Sequence, residues 1–217
     1  MKHQLKSINM KKIITVLVLI FTVSVSAQSK YEKGMVKAFE LWKGNKTTEA
    51  AQLFERISKA EKDNWLPSYY AGMINILESF QIKEEATLIA KLNKAQEFLD
   101  TAKSISPENP EILITQALLH VSYMAFDGQK YGMTMSMKNA GLYEKALKIA
   151  PNNPRVILSK AESDMGAARF FGQSTEPFCN NVKRAIELGK EEKIKEKFYP
   201  KFNVQRAEQV LKKCMKP

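Results

Sequence analysis

Pro107-Glu108-Asn109-Pro110-Glu111-Ile112-Leu113 and Pro151-Asn152-Asn153-Pro154-Arg155-Val156-Ile157 are two copies of one signal, set 44 residues apart (107 to 151). A looser copy, Asp63-Asn64-Trp65-Leu66-Pro67, lies a similar distance upstream. Each follows one amphipathic run and precedes another, so the punctuation marks a helix-turn-helix unit used several times. Self-similarity at a fixed period of this size is the signature of a solenoid, in which each unit is stable only against its neighbours. Solenoids of this kind generally hold a partner rather than perform chemistry.

Working outward, the N-terminus reads as a leader. Lys2, Lys6, Lys11 and Lys12 precede the apolar run from Ile13 to Val23, and Val25-Ser26-Ala27 supplies the small residues of a cleavage site. The run is short for a membrane span, which needs about 20 apolar residues. Residues 1–27 are therefore expected to be a cleaved signal peptide, begun at Met1 or Met10, leaving no transmembrane anchor. The expected destination is a periplasm or the extracellular medium.

The whole chain carries 34 Lys and Arg against 23 Asp and Glu, a net charge of +11. Residues 183–217 hold 11 of those bases and 5 of the acids, so the excess is concentrated at the C-terminus. Outside the cytoplasm this charge points away from nucleic acid. It points towards an anionic lipid or glycan surface, an acidic protein, or simply the polar outer face of a terminal repeat.

The rest of the chain reads as all-α. Leu88, Leu92, Ala95, Leu99 and Ala102 fall on one face of a 3.6-residue period. Helices are expected over about 31–42, from Thr47 or Thr48 to Ala60, from Pro67 to Phe80, and through the Leu88 stripe. Further ones run from Pro110 to Phe126, from about Gly132 to Ile149, from Pro154 to near Gly172, from Pro177, and from about Asn203. The expected fold is an α-solenoid of about four antiparallel helix pairs over residues 28–190. A basic linker and capping helix follow over 191–217.

Ala95-x3-Leu99-x2-Ala102-x4-Pro107 resembles the second helix of a tetratricopeptide repeat, and Asn139, Tyr143, Ala146 and Pro151 repeat the spacing. Ala117 and Ala161 supply the small residues by which first helices pack closely. The period of about 44 is longer than the family's 34. Lys62 stands where the first unit would carry its terminal Pro, and the last unit lacks the motif after Ala185. The resemblance implies a concave groove, lined by the first helix of each pair, that binds a peptide or protein. By phase, the implied groove residues are Tyr69, Glu111, Ile114, Leu118, Arg155, Leu158 and Glu162.

Other constellations are sparse. Cys179 and Cys214 both fall on apolar helix faces, and in an oxidising compartment they are expected to form a disulfide stapling the last helix to the array. Met133, Met135 and Met137 would have to converge to hold copper, and helical geometry spreads them apart. His120, the one histidine after the leader, reads as a satisfied core imidazole. There is no catalytic motif, phosphate loop or metal-ligand spacing. The expectation is a non-enzymatic protein-interaction scaffold without a resident cofactor. The alternative is a protein held to an anionic envelope surface by its basic C-terminal segment.

Overall fold

The computed structural model describes residues 30–194 and 196–214; the expected leader lies outside them. Among these residues are nine α-helices and no strand: α1 (30–43), α2 (Thr47–Ala60), α3 (Trp65–Ser79), α4 (Glu85–Ile105), α5 (Pro110–Phe126), α6 (Gly128–Ile149), α7 (Pro154–Phe170), α8 (Cys179–Glu191) and α9 (Val204–Cys214). Helices α1 to α8 form four antiparallel pairs. Each first helix packs on its own partner and on the first helix of the next unit, and α9 closes the array against α8. The expected all-α solenoid is the observed architecture.

The repeated signal is a capping device. Asn64, Asn109 and Asn153 are the N-caps of α3, α5 and α7, and their side-chain oxygens accept from Leu66 N, Glu111 N, and Arg155 and Val156 N respectively. Pro110 and Pro154 occupy first-turn positions, where no N–H is required. Helix α2 starts at Thr47 as expected, with the Thr47 hydroxyl donating to Glu78 Oε1 (2.5 Å) rather than capping the helix end. Two other starts, those of α3 and α6, come earlier than expected, α6 at Gly128 rather than about Gly132. Helix α3 starts two residues before Pro67, because Asn64 is the better cap. Asp127-Gly128 both stops α5 and starts α6, with Asp127 capping Lys130 N.

Ala95, Ala102, Ala117, Ala146 and Ala161 are essentially fully buried, the close-approach positions between helices. Side-chain bonds tie the later units in sequence: Ser79 to Ser122 (2.6 Å) between α3 and α5, Arg155 to Glu111 between α5 and α7, and Arg206 to Glu162 between α7 and α9. Cys179 and Cys214 are joined in a disulfide, as expected. Among the described residues no helix is long and apolar enough to cross a membrane.

Candidate binding surfaces

The inner face, lined by the first helices, already holds part of the chain. Between α8 and α9 the backbone leaves the last unit and reaches the first. Lys197 pairs with Glu32 of α1 (2.6 Å), and the Phe198 ring stacks on Phe39 at 5.8 Å and meets Tyr31 edge-on. Tyr70 donates its hydroxyl proton to the Phe198 carbonyl (2.6 Å). Tyr199 lies edge-on to Trp65 at 5.8 Å, under the Arg155 guanidinium at 5.4 Å. Phe198 has φ 66°, a left-handed conformation that costs a non-glycine residue about 1–2 kcal/mol. The surrounding aromatic cluster holds it there.

Under this loop lies a buried charge network. Glu111 is completely buried and receives Arg155 Nε (2.9 Å), Asn153 Nδ2 (2.7 Å) and the Tyr199 hydroxyl (3.4 Å). Arg155 reaches on to Glu192 at 2.7 Å. Burial pushes the Glu111 carboxyl above the usual range despite the neighbouring guanidinium. Burial also opposes the Arg155 charge, but Glu192 and Glu111 outweigh it and hold the guanidinium firmly protonated.

Of the expected groove residues, Tyr69, Glu111 and Arg155 converge on this network. Tyr69 is buried beside Trp65 rather than open to a partner, and the neighbouring Tyr70 is the side chain that bonds the loop. Ile114 and Leu158 are buried in inter-helix core, and Leu118 packs with the Leu119 cluster. Glu162 is paired to Arg206 of α9 (2.7 Å). The surface expected to be open is therefore filled by the loop and by α9. Phe198 and Tyr199 escape a reading by periodicity because they sit in a non-helical stretch. Their one signal is an aromatic pair before Pro200 in an otherwise charged run.

On the opposite side, a cleft of about 350 Å³ opens between α4 and α6 over α5. Ile89, Leu92 and Leu119 give it apolar walls, with Tyr123, Tyr131, Met135 and Lys138 around His120. Tyr123 and Tyr131 lie 5.1 Å apart, and Tyr131 is fixed by donating to Glu85 (2.5 Å). Met133 and Met137 point to solvent while Met135 lines the cleft, so the three sulfurs diverge.

His120 is half-buried, and its state follows from its partners. Asn139 Nδ2 donates to the Ala117 carbonyl (3.1 Å), which turns Asn139 Oδ1 towards the ring. That oxygen lies 2.7 Å from His120 Nδ1 and can only accept, so Nδ1 carries the proton. Nε2 then bears the lone pair and accepts from the Gln116 amide at 3.3 Å, whose other proton goes to Gln96 Oε1 (2.7 Å). Burial lowers the imidazole pKa and keeps it neutral. Both ring nitrogens thus have partners, as expected of a satisfied imidazole, but the ring is half-buried at the wall of the cleft rather than enclosed in the core.

The equivalent cleft between α2 and α4 is chemically different, being bridged by Lys91–Glu78 and Lys94–Glu55. Among the described residues no group of three or more His, Cys, Asp or Glu is placed to hold a bare metal ion.

No family model matches the chain, and no curated protein matches it in sequence. Two solved structures share its fold. The HusA haemophore from Porphyromonas gingivalis aligns with a TM-score of 0.74 at 20% identity, covering 85% of this chain and 92% of that one. TTC0263, a thermophilic TPR protein in Thermus thermophilus, aligns with a TM-score of 0.56 at 14% identity, covering 73% of this chain and 74% of that one. At these identities the likeness is one of fold. The fold is a TPR-like helical array.

Proposed function

We propose that this chain is an exported, non-enzymatic binding protein whose cargo is a planar tetrapyrrole of the haem type, held in the α4–α6 cleft. The observation that carries this reading is His120: a neutral imidazole at the wall of a cleft lined by aromatic, apolar and amide side chains, its tautomer fixed from behind by Asn139 and its Nε2 held only by a long contact to Gln116 that a ligand would displace. A bare cation needs several protein ligands, whereas a metal already chelated by a macrocycle needs only an axial one. Lys138 at the rim suits a carboxylate substituent. The fold shared with a haemophore supports the same reading, as the expected leader and the disulfide support export.

Titration with haemin and with iron-free protoporphyrin tests it by absorbance. Saturable 1:1 binding is expected, with an iron-dependent Soret shift lost in His120→Ala and affinity reduced at least about tenfold (1.4 kcal/mol). Absence of binding by either porphyrin to the folded protein would sink the cargo reading.

A second reading, a peptide or protein adaptor acting through the inner face, is favoured by the extended segment already seated there. The anionic-surface alternative has less support. Lys190, Lys197 and Arg206 of the basic C-terminal region are each paired with an acid of the chain, leaving a sparser set of free cations.

A further inference from the structure

The loop that fills the inner face is not needed to connect its own ends. The Phe202 N–H donates to Glu192 Oε2 at 3.4 Å, so the chain returns to the level it left. Helices α8 and α9 pack on each other and are stapled by Cys179–Cys214. Between those points the backbone makes an Ω-shaped excursion to the far end of the array.

What it meets there is receptor chemistry. A Tyr70 hydroxyl binds its backbone carbonyl, Glu32 takes its cation, and aromatic walls from α1 and α3 take its two rings. Arg155 and Glu111, from two later units, engage Tyr199. Phe198 and Tyr199 keep part of their surface in water, so the segment lies on the face rather than beneath it; only Pro200 is buried.

We propose that residues 196–202 are a displaceable internal occupant of the inner face. The outside partner that face fits is an extended peptide with a cation, two adjacent aromatics and a proline. The proposal rests on the adaptor reading, not on the tetrapyrrole cleft, and goes beyond it by naming the partner's chemistry and the gate. Lifting the loop leaves α8, α9 and the disulfide in place, so access opens without unfolding a repeat.

Gly189 offers a handle, because a methyl group placed there would overlap the Phe202 ring. Gly189→Ala therefore evicts the loop's return anchor while favouring helix α8. The probe is a labelled synthetic peptide of residues 196–203, with its scrambled sequence as control, titrated into oxidised full-length mature protein.

Gly189→Ala is expected to bind the peptide at least about tenfold more tightly than the wild type, with unchanged circular dichroism and no response to the scrambled control. Equal binding by both proteins would keep the adaptor groove and overturn the gate. Hydrogen exchange on the wild type gives a test without substitution: the hydrogen-bonded loop amides, Tyr199 and Phe202, should exchange at least about tenfold faster than those of α3 and α5. Exchange of the loop only with global unfolding would overturn the proposal. An open loop that captures no peptide would overturn the adaptor reading beneath it as well.

Discussion

Arg155 is the residue on which most depends, because it neutralises a carboxylate that water cannot reach. Removing it in Arg155→Ala leaves Glu111 buried with only Asn153 and Tyr199, and breaking a buried pair from one side costs about 3–5 kcal/mol. The sign of the pH dependence follows. A carboxyl whose folded pKa is raised keeps its proton longer in the native state, so stability falls as pH rises through that range. Urea denaturation should therefore show a larger deficit for this variant at pH 8 than at pH 5. Four tyrosines act in the alkaline range. Burial raises the hydroxyls of Tyr69, Tyr70 and Tyr199, and pushes Tyr143 up to about 12. Their contribution is intact below an unfolded pKa of about 10 and is lost above it, as the unfolded chain ionises first. Tyrosinate absorbance should accordingly rise together with the loss of helicity in an alkaline titration. Little of this is legible in the sequence. Phase alone places Glu111 and Arg155 on the groove side, but their mutual pairing comes from the superposition of successive units, which no single helix pattern contains.

At the level of elements, the punctuation is readable because capping is local chemistry. An asparagine before a proline-led apolar run fixes a helix start without reference to the rest of the chain. The three Asn caps are nonetheless unequal. Asn109 serves only its own neighbourhood, accepting from Glu111 N and donating to Ser106. Asn153 caps α7 and also donates to the buried Glu111 carboxylate of the preceding unit. Asn109→Ala should cost about 1 kcal/mol, and Asn153→Ala distinctly more, about 2–3 kcal/mol, because a buried charge loses a donor as well. Chemical denaturation of the two variants side by side checks the difference. Where a helix start differs from expectation, a stronger local cap decides the outcome, as Asn64 does in starting α3 ahead of Pro67 and Asp127 does in starting α6 at Gly128. The cleft around His120 is illegible for a different reason. Asn139 and His120 sit on different helices, and the amide gives the imidazole its tautomer only across their packing.

At the scale of the whole molecule, the solenoid is legible from repetition, but its closure is not. The covalent staple contributes on the order of 3–4 kcal/mol through the unfolded chain's lost freedom. Reduction of Cys179–Cys214 should lower Tm and loosen α9 first, read by thermal scans with and without reductant and by exchange in α9. The crossing loop has a different effect. In a linear array stability is a sum over nearest neighbours, so the outer units fray before the middle. Here residues of α1, α3, α5 and α7 all touch one segment anchored at the far terminus, so the two ends share a contact. While the loop is docked the row is topologically a ring, in which neither outer unit can melt alone without forfeiting bonds to its opposite number; once the loop is displaced, it is a row again. With the loop docked and the disulfide intact the chain should lose its helices in a sharper step than it does with the loop displaced, and deletion of a repeat, which independent stacked units would survive, should forfeit that closure.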